Sequence, residues 1–209
     1  KTRLRGQCGD CAGVLRSLLE KRWIEPCDIP PVTVQDAPAT TPPPLSPAQD
    51  RAVQQITGQL DGFGVFLLDG VTGSGKTEVY LKLIAETLTR QRQVLVLVPE
   101  IGLTPQLVRR FEQRLGLQVT LLHSSLSEGE RERAWLAARA GRAALLLGTR
   151  SAVFAPLPRL GLVIVDEEHD LSYKQQEGFR YSARDLAVVR AQRRGCPGWT
   201  GSGAQSSAR

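Results

Sequence analysis

Residues 65–77 read Val-Phe-Leu-Leu-Asp-Gly-Val-Thr-Gly-Ser-Gly-Lys-Thr, an apolar run followed by a glycine-rich turn that ends in lysine and threonine. The turn matches the pattern G-x-x-x-x-G-K-S/T at every fixed position, and a stretch with helical character follows at 78–89. Glycines let successive backbone N–H groups point at one phosphate, and a helix start adds unpaired donors and the positive end of its dipole. The sequence therefore predicts a phosphate-binding loop between a strand and a helix.

Every residue of this loop is a candidate for binding the phosphates of a nucleotide. The loop consists of Gly70, Val71, Thr72, Gly73, Ser74, Gly75, Lys76 and Thr77. The lysine would reach the β- and γ-phosphates, and the threonine hydroxyl would bind Mg²⁺, so ATP and Mg²⁺ are the expected ligands. The alternative is a glycine-rich turn that joins a strand to a helix without binding a ligand. The strand and helix patterns on either side favour the phosphate loop.

A second candidate segment, Asp-Glu-Glu-His at 166–169, follows the apolar run at 162–165. Asp166 would hold the magnesium ion, and Glu167 would polarise the water that attacks the γ-phosphate. A pair of carboxylates after a strand can also be a solvated turn. The phosphate loop upstream favours the catalytic interpretation.

The rest of the chain after residue 45 alternates short apolar runs with amphipathic stretches. The apolar runs lie at 65–68, 94–98, 119–122, 143–147 and 162–165. Runs of this kind are typical of strands buried on both faces of a parallel sheet, with crossover helices between them. Ser127 with Glu130 and Ser182 with Asp185 predict the starts of two of these helices, and Gly195 predicts the end of the second. We therefore predict an α/β fold with a mostly parallel sheet.

Composition sets broad limits on the class of protein. The 209 residues carry 27 basic and 21 acidic side chains, a net charge of +6, and 41% hydrophobic residues, which is typical of a globular protein. Most of the basic residues are arginine, which binds phosphate well, but the charge alone does not decide whether the chain binds nucleic acid. No apolar run exceeds the five residues 94–98, whereas a membrane-spanning helix needs roughly 20. We expect a cytoplasmic protein without membrane contact.

The two ends of the chain carry further expectations. The chain begins with Lys1 and contains no methionine, so we expect a fragment of a longer protein. Cys8 and Cys11 have a spacing that metal and redox sites use, but a structural zinc needs a second such pair, so ordinary thiols are favoured and no zinc site is predicted.

A helix is predicted at 14–25, followed by an extended proline-rich linker. Residues 198–209 are rich in glycine and serine and are expected to be disordered.

Several stretches carry a resemblance to a known family. They are residues 70–80, 98–106, 148–156, 166–170 and 173–181. The order Asp-Glu-x-His after a strand and downstream of a phosphate loop resembles the ATP-binding lobe of superfamily 2 helicases. The finer match, over about residues 45–197, is similar to the PriA family, also called primosomal protein N′. The resemblance implies a RecA-like P-loop NTPase lobe of a 3′-to-5′ DNA helicase. It implies single-stranded and branched DNA at stalled replication forks as substrate, and primosome and replication-restart proteins as partners.

The resemblance also divides the chain and marks where it departs from the family. It implies the remnant of a winged-helix domain at 1–35, a proline-rich linker at 36–44 and the first helicase lobe at 45–197. After Pro197 the family continues with an apolar strand and Gly-Ser-Ala-Thr-Pro, which this chain lacks, so we expect the sheet to lack its next strand. The second lobe with its arginine finger and the zinc-binding insertion are expected to be missing. Weak nucleotide binding, with poor hydrolysis or none, would follow for this fragment alone.

The resemblance assigns roles to further residues. Gln49 falls where related helicases contact adenine, and His169 would relay the nucleotide state toward the DNA. Four residues, Thr104, Gly148, Thr149 and Arg150, fall in segments that family members lay along the backbone of single-stranded DNA.

Three aromatic residues, Tyr173, Phe179 and Tyr181, lie in a polar loop beside the acidic segment. We expect exposed rings on which bases stack, an interaction worth ~1 to 3 kcal/mol per base. Three basic residues, Lys174, Arg180 and Arg184, would supply phosphate partners. The segment resembles the aromatic-rich loop that couples DNA binding to hydrolysis in the family. The alternative is that the rings fold back on the sheet as a small cluster.

Two other functions stay open at this point. One is a P-loop ATPase that does not act on nucleic acid, such as a transporter or a small-molecule kinase. The other is an inactive fragment that only binds nucleotide. Salt-dependent binding of single-stranded DNA would separate a helicase lobe from the first, because phosphate contacts weaken steeply with ionic strength. Whether the chain unfolds cooperatively would test the second.

Overall fold

The structure, a computed structural model, describes residues 12–23, 43–70 and 73–202. The chain divides into two units between Pro31 and Val32, close to the predicted boundary after residue 35. In the first unit, helix α1 spans Ala12–Glu20, so it overlaps the predicted segment 14–25 but begins two residues earlier and ends five residues earlier. Its origin in a winged-helix domain stays a prediction. Cys8, Cys11, Cys27 and the linker residues 36–42 lie outside the described residues.

The second unit is built on a six-stranded, fully parallel sheet in the order β1-β8-β5-β2-β4-β3. Its strands are β1 (Val65–Asp69), β2 (Gln93–Leu97), β3 (Thr120–Leu122), β4 (Leu145–Gly148), β5 (Leu160–Val165) and β8 (Gly198–Ser202). The helices are α2 (Pro47–Thr57), α3 (Lys76–Thr89), α4 (Pro105–Leu115), α5 (Glu128–Arg139) and α6 (Ala183–Arg194). A short antiparallel pair, β6 (Lys174–Gln175) and β7 (Tyr181–Ser182), lies between β5 and α6 in the chain. The predicted α/β fold with a parallel sheet is confirmed.

Both faces of the sheet are buried at its central strands, as the continuous apolar runs predict, but the prediction is wrong for the outer strand β1, where Val65 and Leu67 are 50% and 63% exposed. Alternate residues of a strand point to opposite faces, so Val94 and Val96 pack with α2, α3 and α4, and Leu95 and Leu97 pack with α5 and α6. The central strands β2 and β5 are buried along their whole length. None of the helices in the described part of the chain combines the length and apolar character that a membrane crossing requires.

The helix starts follow the predicted capping signals. At α5 the Ser127 hydroxyl accepts from the Glu130 N–H, and the Glu130 carboxylate accepts from the Ser127 N–H at 2.9 Å. At α6 the Ser182 hydroxyl accepts from the Asp185 N–H, and the helix ends at Gly195 in the left-handed conformation. Such N-caps typically stabilise a helix by about 1 kcal/mol. Both predicted helix starts are confirmed.

The expectation of a disordered tail from residue 198 is wrong for residues 198–202. They form β8, which fills the sheet position between β1 and β5, so the sheet has the strand that was expected to be missing. A strand between two neighbours is held by backbone hydrogen bonds, which glycine and serine can make, so a low apolar content does not exclude it. A Cβ at Gly201 would lie 1.9 Å from the Tyr80 hydroxyl, so at this position the glycine is required. Residues 203–209 lie outside the described residues.

Candidate active site

The predicted phosphate loop and acidic segment meet at one edge of the sheet. The loop follows β1 and the acidic segment follows β5, and β8 is the strand between these two. In a parallel sheet the carboxyl ends of the strands lie at the same edge, where ligands bind in α/β folds. Residues 91 positions apart in the sequence are thereby placed in one site, since Lys76 lies beside the carboxylate of Glu167.

The phosphate loop has the backbone that its glycines predict. Gly73 and Gly75 have φ angles of 85° and 83°, a region that other residues rarely adopt. A Cβ at Gly70 would lie 2.8 Å from the Ser74 hydroxyl, and one at Gly75 would lie 2.4 Å from the Gln49 amide nitrogen. Helix α3 begins at Lys76, two residues before the predicted start. Val71 and Thr72 lie outside the described residues.

The ammonium group of Lys76 is folded over this loop. It donates a hydrogen bond to the Gly70 carbonyl at 2.7 Å and lies 3.8 Å from Oε1 of Glu167. Only 8% of the lysine side chain is exposed, compared with 31% of the glutamate. The loop lysine and the carboxylate predicted to polarise water therefore face each other across the site.

Asp166 is fixed at three points. Its N–H donates to the Leu97 carbonyl at 2.9 Å, its carbonyl accepts from the Tyr173 hydroxyl at 2.6 Å, and its Oδ1 accepts from the Tyr80 hydroxyl at 3.0 Å. Burial raises the pKa of the Asp166 carboxyl, and the charge of Glu167 adds to this, whereas the Tyr80 hydrogen bond opposes it. The sequence analysis missed Tyr80, although its spacing of three and four residues from Thr77 and Lys76 indicates a shared helix face.

Glu167 has an unusual backbone conformation. Its φ angle is 47°, in the left-handed region that costs a residue with a side chain about 1 kcal/mol or more. Such strain persists at functional sites where the surrounding structure fixes it. The imidazole Nε2 of His169, which is 43% exposed, lies 3.8 Å from Oε2 of Glu167. Glu167 thus lies between Lys76 on one side and His169 on the other.

The site has the ligand chemistry that Mg²⁺ requires. Magnesium binds hydroxyl, carboxylate and phosphate oxygens. The Thr77 hydroxyl is on the second residue of α3, and the Asp166 carboxylate follows β5. Thr77 and Asp166 are therefore the residues that fit a magnesium ion bound together with a nucleotide.

Gln49 contacts the phosphate loop. Its side-chain oxygen accepts from the Ser46 N–H at 2.8 Å, and its side-chain amide donates to the Ser74 carbonyl at 3.0 Å. Ser46 in turn caps α2, so the two residues form a capping box. The sequence Ser-x-x-Gln carries this signal, which the sequence analysis did not use. Contact between Gln49 and adenine stays a prediction.

The residues predicted to face the DNA backbone differ in their exposure. Thr104 is exposed and caps α4, where its hydroxyl accepts from the Leu107 N–H. Gly148 and Thr149 are buried, because a Cβ at Gly148 would lie 2.3 Å from the Leu122 carbonyl and only 4% of Thr149 is accessible. A contact between Gly148 or Thr149 and DNA stays a prediction.

Arg150 follows β4 and connects it to the start of the aromatic loop through hydrogen bonds. Its guanidinium donates to the carbonyls of Ser172 and Lys174 at 3.0 and 3.2 Å. It thereby holds the start of the aromatic loop against the end of β4. A contact between Arg150 and DNA stays a prediction.

The prediction that all three aromatic rings are exposed is wrong for Tyr173. It is 2% exposed and packs in the cluster on the α5 and α6 face, because its hydroxyl finds a buried acceptor at Asp166. Phe179 is 76% exposed. Tyr181 is half-buried and lies between Phe179, at 5.9 Å between ring centres, and Phe154, at 4.9 Å. Phe154, which the sequence analysis missed, is exposed as well, so one half-buried and two exposed rings form a surface patch.

The basic residues of the aromatic loop also divide into two kinds. Lys174 and Arg180 are exposed. Arg184 makes ion pairs with Glu168 at 3.1 Å and Asp185 at 3.0 Å, and these interactions raise its pKa. Lys174 and Arg180 are therefore better placed for a phosphate contact than Arg184.

With this geometry in view, comparison with known proteins assigns the family. The sequence model of the DEAD/DEAH box helicases matches residues 46–198. The chain belongs to the DEAD/DEAH box helicase family. It is 58% identical over 132 residues to the replication restart protein PriA of Haemophilus influenzae, covering 63% of this chain and 18% of that protein. It is 49% identical over 160 residues to PriA of Bacillus subtilis, covering 76% of this chain and 20% of that protein. The predicted resemblance is confirmed, and the chain spans about a fifth of the length of these curated relatives.

Solved helicase structures share the fold. RecG bound to a three-way DNA junction is 21% identical, with a TM-score of 0.54, covering 91% of this chain and 22% of the RecG chain. The Hef helicase domain of Pyrococcus furiosus is 22% identical, with a TM-score of 0.52, covering 76% of this chain and 33% of the Hef chain. At these identities the likeness concerns the fold alone, and it confirms the predicted RecA-like α/β fold.

Proposed function

We propose that this helicase lobe binds ATP with Mg²⁺ at the loop 70–77 and couples ATP hydrolysis to movement on single-stranded DNA. By similarity to its PriA relatives, it would act as part of a 3′-to-5′ helicase that restarts stalled replication forks and starts primosome assembly, in the bacterial cytoplasm. One observation carries the proposal: the Lys76 ammonium is held over the phosphate loop, 3.8 Å from Glu167. This pairing of a loop lysine with a strand-end carboxylate is the arrangement that P-loop ATPases use.

The side chains of the site divide the chemical work between them. Lys76 would exchange the Gly70 carbonyl for the β- and γ-phosphates, where its charge offsets the negative charge that develops during transfer. Thr77 and Asp166 would hold Mg²⁺, which supplies a further positive charge at the phosphates when bound. Glu167 would orient the attacking water and draw on its proton. His169 lies beside Glu167 and would relay the state of the bound nucleotide toward the DNA.

A hollow between the start of α2, the first half of α3 and the end of α4 offers room for the base of the nucleotide. It has a volume of about 720 Å³, and Leu45, Asp50, Lys82 and Arg114 are among its lining residues. Apolar and polar groups together suit a heteroaromatic ring with exocyclic donors. Gln49 is adjacent to Asp50 and donates a hydrogen bond to the Ser74 carbonyl. A base bound in this hollow would therefore affect the conformation of the phosphate loop through Gln49.

The DNA side of the proposal rests on exposed groups near the same sheet edge. Phe179, Tyr181 and Phe154 form an aromatic patch, and Lys174 and Arg180 are exposed beside it. Aromatic faces that stack bases, combined with nearby cations, are typical of proteins that bind single strands. Thr104, exposed at the start of α4, is a further candidate for a phosphate contact.

Titration of a fluorescent ATP analogue onto the chain and onto Lys76→Ala tests nucleotide binding. We expect binding to the original chain and a loss of at least tenfold in the variant, because the lysine supplies the charge that faces the phosphates. Equal affinity of both proteins would refute the proposed site. Binding of a single-stranded oligonucleotide at increasing salt tests the DNA side, and affinity that does not fall with salt would favour an ATPase that does not act on nucleic acid.

A further inference from the structure

We propose that Tyr80 is a positioning residue for the metal-binding carboxylate of Asp166. The inference rests on the proposed function, since it assumes that Asp166 holds Mg²⁺ next to a bound nucleotide. It goes beyond that function by assigning a role to a residue outside the phosphate loop and the acidic segment.

Tyr80 is buried where α3 passes over the end of the sheet. It is 2% exposed, and its hydroxyl donates to Oδ1 of Asp166 at 3.0 Å. The backbone of β8 lies against the phenol, because a Cβ at Gly201 would lie 1.9 Å from the hydroxyl oxygen. The hydroxyl therefore lies between the Asp166 carboxylate and the backbone of β8.

The chemistry of the contact suits a carboxylate that must receive a cation. A phenol is a neutral donor, so it fixes the direction of Oδ1 without cancelling the negative charge that a metal ion needs. The Glu167 N–H also donates to this carboxylate, and the two carboxylate oxygens have further lone pairs that can bind a metal ion. Partners that orient metal ligands in this way commonly affect metal affinity about 10- to 100-fold when removed.

The position of Tyr80 in the sequence adds a second argument. Lys76 and Thr77 are the first residues of α3, and Tyr80 follows them by four and three positions, which places all three on one helix face. One rigid helix therefore carries the phosphate-binding lysine, one magnesium ligand and the group that orients the other ligand. The two magnesium ligands belong to different elements, and Tyr80 sets their relative placement.

The main chain of Asp166 is fixed independently of Tyr80. The Leu97 carbonyl and the Tyr173 hydroxyl hold its N–H and its carbonyl. Loss of the Tyr80 hydroxyl should therefore free the carboxylate while leaving the end of β5 in place. This separation makes a selective effect on metal binding the expected result.

The test compares nucleotide affinity with and without magnesium. A fluorescent ATP analogue is titrated onto the chain in excess EDTA and again in saturating Mg²⁺, and the ratio of the two affinities gives the magnesium-dependent gain. For Tyr80→Phe, which keeps the ring, we expect an affinity in EDTA within twofold of the original chain and a gain reduced about tenfold. Asp166→Asn should lose the gain, and the double variant should lose no more than Asp166→Asn alone.

A matched control removes a different buried hydroxyl from the same helix. Thr87 is buried near the far end of α3, and its hydroxyl donates to the Leu83 carbonyl at 2.8 Å. Thr87→Val should leave the magnesium-dependent gain unchanged. Thermal unfolding of each variant without nucleotide verifies that the fold is retained.

Three outcomes would overturn the inference. A full gain in Tyr80→Phe would show that the hydroxyl does not orient the ligand. An equal loss of affinity in EDTA and in Mg²⁺ would show a general structural role instead. Additive losses in the double variant would show that Tyr80 does not act through Asp166. Absence of nucleotide binding by the original chain would instead refute the proposed function itself.

Discussion

Lys76 and Glu167 face each other with 3.8 Å between Nζ and Oε1, although 90 residues separate them in the chain. The ammonium also donates to the Gly70 carbonyl at 2.7 Å, so a phosphate group that binds here must replace these partners. Glu167 therefore has two opposing effects. It competes with phosphate for the lysine, and it is the group that would activate water.

Glu167→Gln should separate these two effects. The amide no longer competes for the ammonium or repels phosphate, and a partly exposed ion pair is worth ~0.2 to 1 kcal/mol, so nucleotide affinity should rise by up to about fivefold. ATP turnover should fall, because an amide cannot draw on the proton of the attacking water. A fluorescent-analogue titration and a phosphate-release assay measure the two quantities. Weaker binding in Glu167→Gln would contradict this account of the Lys76–Glu167 contact.

Gly201→Ala should destabilise the second unit. The added Cβ would lie 1.9 Å from the Tyr80 hydroxyl and 3.5 Å from Oδ1 of Asp166. Overpacking of this kind typically costs about 1 to 3 kcal/mol. Urea unfolding at neutral pH measures the change in the free energy of unfolding.

Gly62→Ala is a matched control for this substitution, because nothing lies within 4 Å of a Cβ there. It should change stability little. An unaltered free energy of unfolding in Gly201→Ala would show that β8 does not pack against Tyr80 in solution.

Prediction from sequence succeeds where a short segment determines its own structure. The caps at Ser127 and Ser182 and the glycine turn at 73–75 depend on residues a few positions apart. The structure confirms both caps and the positive φ angles of Gly73 and Gly75. The Tyr80–Asp166 bond joins residues 86 positions apart and depends on the strand order of the sheet. No local pattern indicates it.

The errors have the same physical origin. Strand β8 was missed because glycine and serine suggest disorder, whereas a position between two strands supplies the hydrogen-bond partners. Tyr173 was predicted to be exposed because its neighbours are polar, but a buried carbonyl acceptor at Asp166 accommodates its hydroxyl. In both cases the tertiary environment outweighs composition.

The Glu78 ion pairs predict a dependence of stability on pH. Glu78 lies 2.7 Å from both Arg110 and Arg114, and its side chain is 10% exposed. Burial alone would raise the pKa of Glu78, but hydrogen bonds from the two arginines outweigh burial and lower the pKa. Because the folded-state pKa is lower than that of the unfolded chain, the contribution is present above the ordinary value of about 4.3 and is lost as the pH falls through the folded value.

Glu78→Gln should therefore lower the free energy of unfolding at pH 7 by about 1 to 3 kcal/mol, because Arg114 is left half-paired in a nearly buried position. The difference from the original chain should narrow below pH 4, where the native glutamate also becomes neutral. Urea unfolding across pH 3 to 7 measures it. Glu132→Gln, on the exposed surface of α5, serves as the control and should show a small and pH-independent effect. A difference that stays constant with pH would contradict the lowered pKa.

Phe179→Ala should weaken binding of a single-stranded oligonucleotide. The ring is 76% exposed and lies 5.9 Å from Tyr181, so it can stack on a base without a change in the fold. Loss of one stacked base costs ~1 to 3 kcal/mol, and the loss should persist at high salt because stacking does not depend on phosphate charge. Fluorescence anisotropy at two salt concentrations measures it.

Phe63→Ala provides the comparison, since Phe63 is another exposed ring that precedes β1, away from the aromatic loop. It should leave DNA affinity unchanged. Tyr173→Phe should also leave DNA affinity nearly unchanged, because its ring is buried and its hydroxyl binds the Asp166 carbonyl. Equal losses in Phe179→Ala and Phe63→Ala would show that the oligonucleotide binds non-specifically to exposed rings and would remove the basis for assigning DNA contacts to this loop.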